Sequence, residues 1–427
     1  MLTKYLVLLQ ENKNYRYLWW GNVISLFGDW FNLIASAALI SLLTEATTAI
    51  SYLFLARFLP LFFFSPFAGV LADRYDRRNI MIASDVLRGL TVLGFLLIRD
   101  PSQIWLFYLL TISQFALSSL FTPARSAIIA MVVAEEDLVA ANALDSLTWS
   151  SMLALGSLAG GFVSEMFGND TAFFLDALTF FLSGWVISLI TLPAKEEVPE
   201  VSQGGFFDFV DGLRYLWGVP ILLIISMVKG GGSLVWGSIN VLEVAVAEDI
   251  FPLGDGGALT LGWFYALSGI GTGLSPILFT HLLGEKPAQL RRGITIGFVL
   301  MTVGILILGL APNLAMYSLG TLIRTSGTGV IWVFTAVLLQ MSVPNHVRGR
   351  VFAFEFAFLT LMQSVSIYWA GFAPDYLGFS IQQTILSMAV LGMVIFLVWV
   401  LFQYRTGKIP LVPEGKKDNK SSLVTFE

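Results

Sequence analysis

Twelve long apolar stretches run through this chain, and they restrict its fold more than any other feature of the sequence. A helix needs about 20 apolar residues to cross the hydrocarbon core of a bilayer. Each stretch is long enough, and each must satisfy its own backbone hydrogen bonds because lipid supplies none. The sequence therefore predicts an all-α integral membrane protein. The predicted spans are 18–43, 48–72, 79–98, 103–132, 143–166, 171–193, 219–247, 258–283, 293–311, 314–341, 351–374 and 379–404.

The composition agrees with a membrane protein and argues against several kinds of site. Of the 427 residues, 56% are hydrophobic and 12% are charged, whereas a soluble domain carries about a quarter charged residues. Cysteine is absent and the only histidines are His281 and His346, so we predict neither a metal site nor a cofactor. No H-E-x-x-H or G-x-S-x-G motif occurs, so we predict no catalytic residue.

The distribution of basic residues predicts the orientation of the chain. In a twelve-span arrangement one set of connections is basic, while the other set carries acidic residues with Arg99 as its only basic residue. Basic connections stay in the cytoplasm, so both termini are predicted to be cytoplasmic, in a cell membrane protein. The basic set comprises Lys4, Lys13, Arg16, Arg74, Arg77, Arg78, Arg125, Lys195, Arg214, Lys286, Arg291, Arg292, Arg348, Arg350, Lys416, Lys417 and Lys420.

Short matches between the two halves indicate a duplicated unit. Phe121-Thr122 corresponds to Phe334-Thr335, and Arg77-Arg78 corresponds to Arg291-Arg292 at nearly the same offset. With six spans on each side of one polar stretch, these matches favour an internal repeat. The predicted organisation is a six-helix bundle over 1–193, a linker with an amphipathic helix over 194–218, a second bundle over 219–404 and a disordered cytoplasmic tail over 405–427.

The polar connection at 69–78, G-V-L-A-D-R-Y-D-R-R, joins the second and third spans. Gly69 lets a neighbouring helix come close, and Asp73 can cap the positive N-terminus of another helix. The stretch resembles the signature loop of the major facilitator superfamily, G-x-L-x-D-R-x-x-R-R, and matches at every defined position. The resemblance implies a gate at this face. Three basic residues would hold the loop in the cytoplasm: Arg74, Arg77 and Arg78.

Further segments resemble the branch of this superfamily that contains macrolide-efflux proteins and siderophore exporters such as the enterobactin exporter, within the drug:proton antiporter group. The resemblance implies twelve helices in two pseudo-symmetric six-helix bundles that rock around a central site, lined by spans 1, 4, 7 and 10. The matching segments are Gly28-Asp29, Pro123-Ala124-Arg125-Ser126-Ala127, Ala141-Asn142-Ala143-Leu144, Phe174-Leu175-Asp176-Ala177 and Val347-Arg348-Gly349-Arg350-Val351.

Two departures from the branch concern proton coupling. The fifth span resembles the antiporter motif G-P-x-x-G-G, but Ser157 replaces the proline, so the small residues allow close packing without the kink. The fourth span lacks the buried arginine of many proton-coupled exporters, and Gln114 is its nearest polar candidate. The glycines expected to pack are Gly156, Gly160 and Gly161.

Four ionisable residues fall at membrane depth and are the main functional candidates. Asp29 and Arg57 lie at similar depth, which leaves open a structural pair or a role in proton or substrate binding. Lys229 precedes three glycines, where we expect the span to break. Lys229 and Arg324 are expected to face the cavity rather than form internal pairs.

Three other charged residues are given smaller roles. Glu243 lies near the outer end of the seventh span, where it is either an outer gate or solvated. Asp85 and Arg88 are one helical turn apart, so we expect them to pair with each other or with the Asp73 loop, in a structural role.

The function predicted from these features is secondary active export of a small amphipathic molecule, siderophore-like or drug-like, by alternating access coupled to protons. An importer or a lipid flippase on the same fold is the alternative within transport, and a membrane receptor or enzyme is less favoured. No P-loop is present to bind ATP. The expected partners are the substrate, the bilayer and protons, for a monomer that binds no nucleic acid. Because Lys229 and Arg324 lack evident partners in the sequence, the cargo, or part of it, is expected to be anionic or rich in oxygen acceptors.

Overall fold

The computed structural model describes residues 2–44, 46–134, 137–192, 213–254 and 257–406. Within helices it leaves undescribed the side chains of 2–6, 65–70, 72–74, 130, 139, 142–143, 345–346, 348–349 and 406. The helices are α1 Leu2–Glu11, α2 Lys13–Leu43, α3 Thr47–Arg74, α4 Arg77–Leu93, α5 Ile104–Val132, α6 Leu138–Phe167, α7 Asn169–Ser188, α8 Pro220–Ala245, α9 Ala258–Leu283, α10 Pro287–Leu310, α11 Leu314–Ser342, α12 Asn345–Leu377 and α13 Ile381–Thr406.

Within the described ranges, twelve helices are long and apolar enough to cross a membrane, which confirms the predicted all-α fold. Several of these helices begin earlier in the chain than hydropathy predicts, because a helix start is set by a capping side chain or a proline and not by the first apolar residue. Asn12 accepts a hydrogen bond from the backbone N–H of Tyr15 at 2.9 Å, so α2 begins at Lys13 instead of 18. Proline at the first position starts α10 at Pro287, before the expected 293.

The same pattern of helix packing occurs twice, as expected of two pseudo-symmetric bundles. In the first bundle α2 packs on α6 and α7, α5 packs on α3 and α4, and α4 packs on α7. In the second bundle α8 packs on α12 and α13, α11 packs on α9 and α10, and α10 packs on α13. Each helix of α2–α7 thus has its counterpart six spans later.

The two bundles meet chiefly through α6 against α9 and α3 against α12. Small residues allow this close approach. A Cβ added to Gly161 would lie 2.7 Å from the carbonyl oxygen of Ala258 and 3.3 Å from the Cα of Gly262. Ser157 lies 3.4 Å from the carbonyl oxygen of Gly262, so the position expected to hold a proline contacts the other bundle.

The expected break after Lys229 is wrong, because α8 runs unbroken from Pro220 to Ala245. The glycines serve packing instead: a Cβ at Gly230 would collide with the ring of Phe358 on α12. Ser233 donates to the carbonyl oxygen of Leu359 at 2.9 Å and ties the same two helices together. Inside a bilayer an unwound segment would lose hydrogen bonds that no water replaces, which outweighs the low helix propensity of glycine.

Two regions fall largely outside this description. The linker expected over 194–218 is described only from 213, where residues 213–218 are helical and Leu216 is buried. Of the tail expected over 405–427, residues 405 and 406 belong to α13, and 407–427 lie outside the described residues.

We call the end of the bundles at which α2 begins the terminal face, and the other end the opposite face. At the terminal face the start of α2 meets the end of α7, where Asn14 donates to the carbonyl oxygen of Thr191 at 2.8 Å. At the opposite face α3 begins beside the end of α12, where the backbone N–H of Thr48 donates to Asp375 at 2.7 Å.

Candidate coupling and gating residues

A cluster of charged side chains lies inside the first bundle, where α2, α4 and α7 pack together. Arg88 and Asp85 form a buried ion pair on α4, and Ser183 of α7 donates to the second oxygen of Asp85 at 2.6 Å. The Arg88 guanidinium also lies 4.2 Å from the ring centre of Phe180. Of the two pairings that the sequence left open, the one between Asp85 and Arg88 is therefore present, with a hydroxyl from a second helix as an added partner.

Asp29 and Arg57 do not form the pair that the sequence suggested. The Asp29 carboxylate lies 3.9 Å from Arg88 Nη1 and its side chain is 24% exposed. Arg57 instead donates to Asn32 Oδ1 at 3.3 Å and lies 4.4 Å from the ring centre of Phe115. The sequence indicated that Asp29 and Arg57 lie at similar depth in the bilayer, but depth does not determine where a side chain points. In the structure Asp29 points toward Arg88 on α4.

Asp176 on α7 belongs to the same cluster and was missed as a site residue. It is fully buried, and neither carboxylate oxygen has a hydrogen-bond partner among the described residues. A Cβ added to Gly28 would lie 2.5 Å from Asp176 Oδ1, so this carboxylate reaches the backbone of α2 beside Asp29. The available signal was its position, since an ionisable residue in mid-span is a functional candidate by default.

Gln114 on α5 is buried, and neither its Oε1 nor its Nε2 has a hydrogen-bond partner among the described residues. It adjoins Phe115, whose ring lies against Arg57. The role of Gln114 as a polar site residue stays a prediction.

In the second bundle, Lys229 and Arg324 both form internal ion pairs, so the expectation that they face the cavity without partners is wrong. Arg324 Nη2 lies 2.7 Å from Glu243 Oε1, and Lys229 Nζ lies 3.1 Å from Glu355 Oε1. Glu243 is fully buried, so it is not solvated. These pairs join α11 to α8 and α8 to α12 because a buried cation without a counter-charge is costly.

The two bundles therefore differ in their balance of buried charge. The second bundle sets two carboxylates against two cations in two pairs. In the first bundle, the described cluster sets the carboxylates of Asp29, Asp85 and Asp176 against the guanidiniums of Arg57 and Arg88. One carboxylate in the first bundle is left without a cation of its own.

At the terminal face, the described part of the signature loop holds the first bundle together. Arg78 donates to the carbonyl oxygen of Ile190 at 2.9 Å, and Arg77 lies 3.0 Å from the sulfur of Met131. The surroundings of Gly69 and the side chains of Asp73 and Arg74 are not described, so the gating role of these residues stays a prediction.

At the opposite face, Asp375 joins the two bundles. It accepts hydrogen bonds from both the backbone N–H and the hydroxyl of Thr48, in the first turn of α3. A carboxylate at this place satisfies a free helix N–H and complements the positive end of the helix dipole. Gly371 adjoins the same turn, since a Cβ there would meet Thr48 and Ser51. In the sequence, Asp375 stands out only as one of the acidic residues in the second set of connections.

Comparison with known proteins decides what these bundles are. A sequence profile described as Major Facilitator Superfamily matches residues 18–367, from α2 into α12. The chain belongs to this superfamily. It is therefore a membrane transporter of small molecules rather than an enzyme.

Named relatives of this superfamily member confirm the resemblance to efflux proteins. It is 25% identical to the putative bacilysin exporter BacE of Bacillus subtilis (strain 168), over 86% of this chain and 91% of BacE. It is 22% identical to macrolide efflux protein A of Streptococcus pyogenes, over 84% and 89% of the two chains. It is 25% identical to the enterobactin exporter EntS of Salmonella choleraesuis (strain SC-B67), over 66% and 67%.

Among solved structures, a mutant of the nucleoside transporter NupG is similar with a TM-score of 0.71. The match covers 92% of this chain and 99% of the NupG chain at 12% identity, so it bears on the fold alone.

Proposed function

We propose that this protein exports a small amphipathic molecule, drug-like or siderophore-like, from the cytoplasm in exchange for protons. The efflux-type relatives support the direction of transport. The basic connections support a cytoplasmic terminal face. Each chain holds both bundles, so it can complete a transport cycle as a monomer.

Coupling to protons is supported by the charged cluster of the first bundle, in which three carboxylates face two guanidiniums. Asp29 is partly exposed, while Asp85 and Asp176 are buried behind it, so protons can reach the cluster through Asp29. Adding or removing one proton changes the net charge of a buried site and shifts the relative stability of two conformations. Asp29 is the proposed point of exchange with water.

The cargo is proposed to bind between the bundles, where aromatic rings from both of them meet. Trp30 of α2 lies 5.8 Å from Tyr265 of α9 and 6.3 Å from Trp149 of α6, between ring centres. Such rings bind the apolar part of an amphipathic molecule. The expected preference for an anionic cargo loses its basis, because Lys229 and Arg324 already have counter-charges.

The test is uptake into inverted membrane vesicles that contain the protein, with a labelled macrolide, enterobactin or bacilysin as the probe. Uptake of at least one probe should rise when the vesicle interior is made acidic and should vanish when an ionophore abolishes the gradient. Vesicles lacking the protein are the control. Uptake that ignores the gradient would refute proton coupling, and accumulation only in right-side-out vesicles would indicate an importer.

A further inference from the structure

Asp176 is a buried carboxylate that forms neither an ion pair nor a hydrogen bond with the residues that the structure describes. Its side chain is inaccessible to solvent, and neither Oδ1 nor Oδ2 accepts a hydrogen bond from the described residues. The nearby hydroxyl of Thr179 donates to the backbone carbonyl of Asp176 rather than to its carboxylate, at 2.7 Å. An ionised carboxylate in such a place would have lost its hydration without any replacement.

The charged groups around Asp176 come from three neighbouring helices, and all of them have other contacts. Asp29 on α2 is itself an acid, so it repels a second negative charge. Arg57 on α3 is directed to Asn32 and Phe115. On α4, Arg88 is held by Asp85 and Phe180. Among the described residues, neither guanidinium of this cluster forms an ion pair with Asp176.

The Asn32 amide lies next to the Asp176 carboxylate and interacts with it. Its Nδ2 forms no hydrogen bond of regular geometry with any described residue, whereas its Oδ1 accepts from Arg57 at 3.3 Å. The amide thus has a donor left for an Asp176 carboxylate, but the two groups do not form the bond in this conformation. A small rotation would let Asn32 donate to Asp176 once the carboxylate is ionised. The site thus contains a group suited to each protonation state.

We propose that Asp176 is a proton-binding site and holds its proton in this conformation. The reaction is reversible protonation of one carboxylate oxygen, with the proton reaching water by way of Asp29. Asp29 itself is the weaker choice for the bound proton, because it has partial solvent exposure and Arg88 at 3.9 Å to stabilise its charge. A metal cation is disfavoured by the two neighbouring guanidiniums. Only the use of this proton in transport rests on the proposed function.

The test measures the proton directly and needs no substrate. Infrared spectra of the purified full-length protein at neutral pH are compared with those of Asp176→Asn, in H₂O and D₂O. We expect the difference spectrum to contain a protonated-carboxyl C=O band that shifts on deuteration. The matched control is Asp170→Asn, which removes a carboxylate with a 53% exposed side chain and should leave that band unchanged.

A second variant covers the case in which Asp176→Asn does not fold. Asp176→Glu keeps a titratable group, so its band should persist at a shifted frequency. A band that survives in Asp176→Asn would place the proton on another acid and overturn the proposal. So would a difference spectrum without the band, or a carboxylate signal that responds to Na⁺ but not to choline.

Transport measurements separate this inference from the proposed function. If the band disappears in Asp176→Asn while gradient-driven uptake of the probe stays unchanged, the proton site stands and proton coupling through it is refuted. If the band disappears and uptake no longer responds to the gradient, both proposals are supported.

Discussion

The ion pair between Arg324 and Glu243 offers the sharpest test of the second bundle. The two side chains are 4% and 0% exposed and their N–O distance is 2.7 Å. Glu243→Gln preserves the shape but leaves the guanidinium charge buried without compensation. Breaking a buried pair costs about 3–5 kcal/mol, and we expect the lower end because the glutamine oxygen can still accept a hydrogen bond. For a cooperative unit the size of one bundle, about 3 kcal/mol corresponds to a fall in Tm of roughly 6–12 °C.

The assay is thermal unfolding in one detergent at a fixed heating rate, since large membrane proteins seldom unfold reversibly. Asp170→Asn is the matched control, because it breaks a pair with Arg99 of the same 2.7 Å length whose side chains are 63% and 53% exposed. That loss should cost less than about 1 kcal/mol. The double variant Glu243→Leu with Arg324→Met should recover most of the stability, because it leaves no unpaired charge.

Equal, small shifts for Glu243→Gln and Asp170→Asn would refute this reasoning. They would mean that water reaches Arg324, and the expectation of a cation facing the cavity would then have to be restored.

Three further predictions address other parts of the molecule. Asp375→Asn weakens the contact with Thr48 between the bundles at the opposite face, so cysteines introduced there should react faster with thiol reagents while the expression level stays unchanged. Gly230→Leu should lower Tm more than Gly378→Leu, because a side chain at position 230 collides with Phe358. The space around Gly378 is open, so the control variant adds only the strain of a leucine at a φ of 69°. Asp29→Asn should reduce the response of probe uptake to a pH gradient while probe binding stays measurable; an unchanged response would remove Asp29 from the coupling path.

Local properties of the sequence were sufficient to predict the membrane spans and the family. Hydropathy over about 20 residues depends only on neighbours in the chain, which is why all twelve spans could be located before the structure. The predicted starts of α2 and α10 were too late in the chain. Asn12 caps one helix and Pro287 begins the other, and a hydropathy window detects neither effect. The Gly230–Gly232 stretch was misread because helix propensities measured in water do not transfer to lipid.

The pairing of the buried charges could not be predicted in the same way. Lys229 meets Glu355, and Arg324 meets Glu243, across helices that are far apart in sequence. Hydropathy is the same for every rotation of a helix about its axis, so it does not determine which residues face each other. The Asp85–Arg88 pair was predictable because one helix places both residues on the same face.

The balance of buried charge indicates that the two bundles have different roles. In the second bundle each described mid-membrane acid holds a cation, so a proton gained there would first have to break a pair. In the first bundle Asp176 forms no ion pair or hydrogen bond with a described residue, so protonation there has no pair to break and requires a path to water. Variants of the two sites should therefore separate two properties. Glu243→Gln should change Tm while leaving the pH profile of probe uptake in place, and Asp176→Asn should flatten that profile with little loss of Tm, since asparagine resembles the neutral acid in shape. If both variants moved both properties together, the two bundles would share one coupled network, and the separate assignment would be wrong.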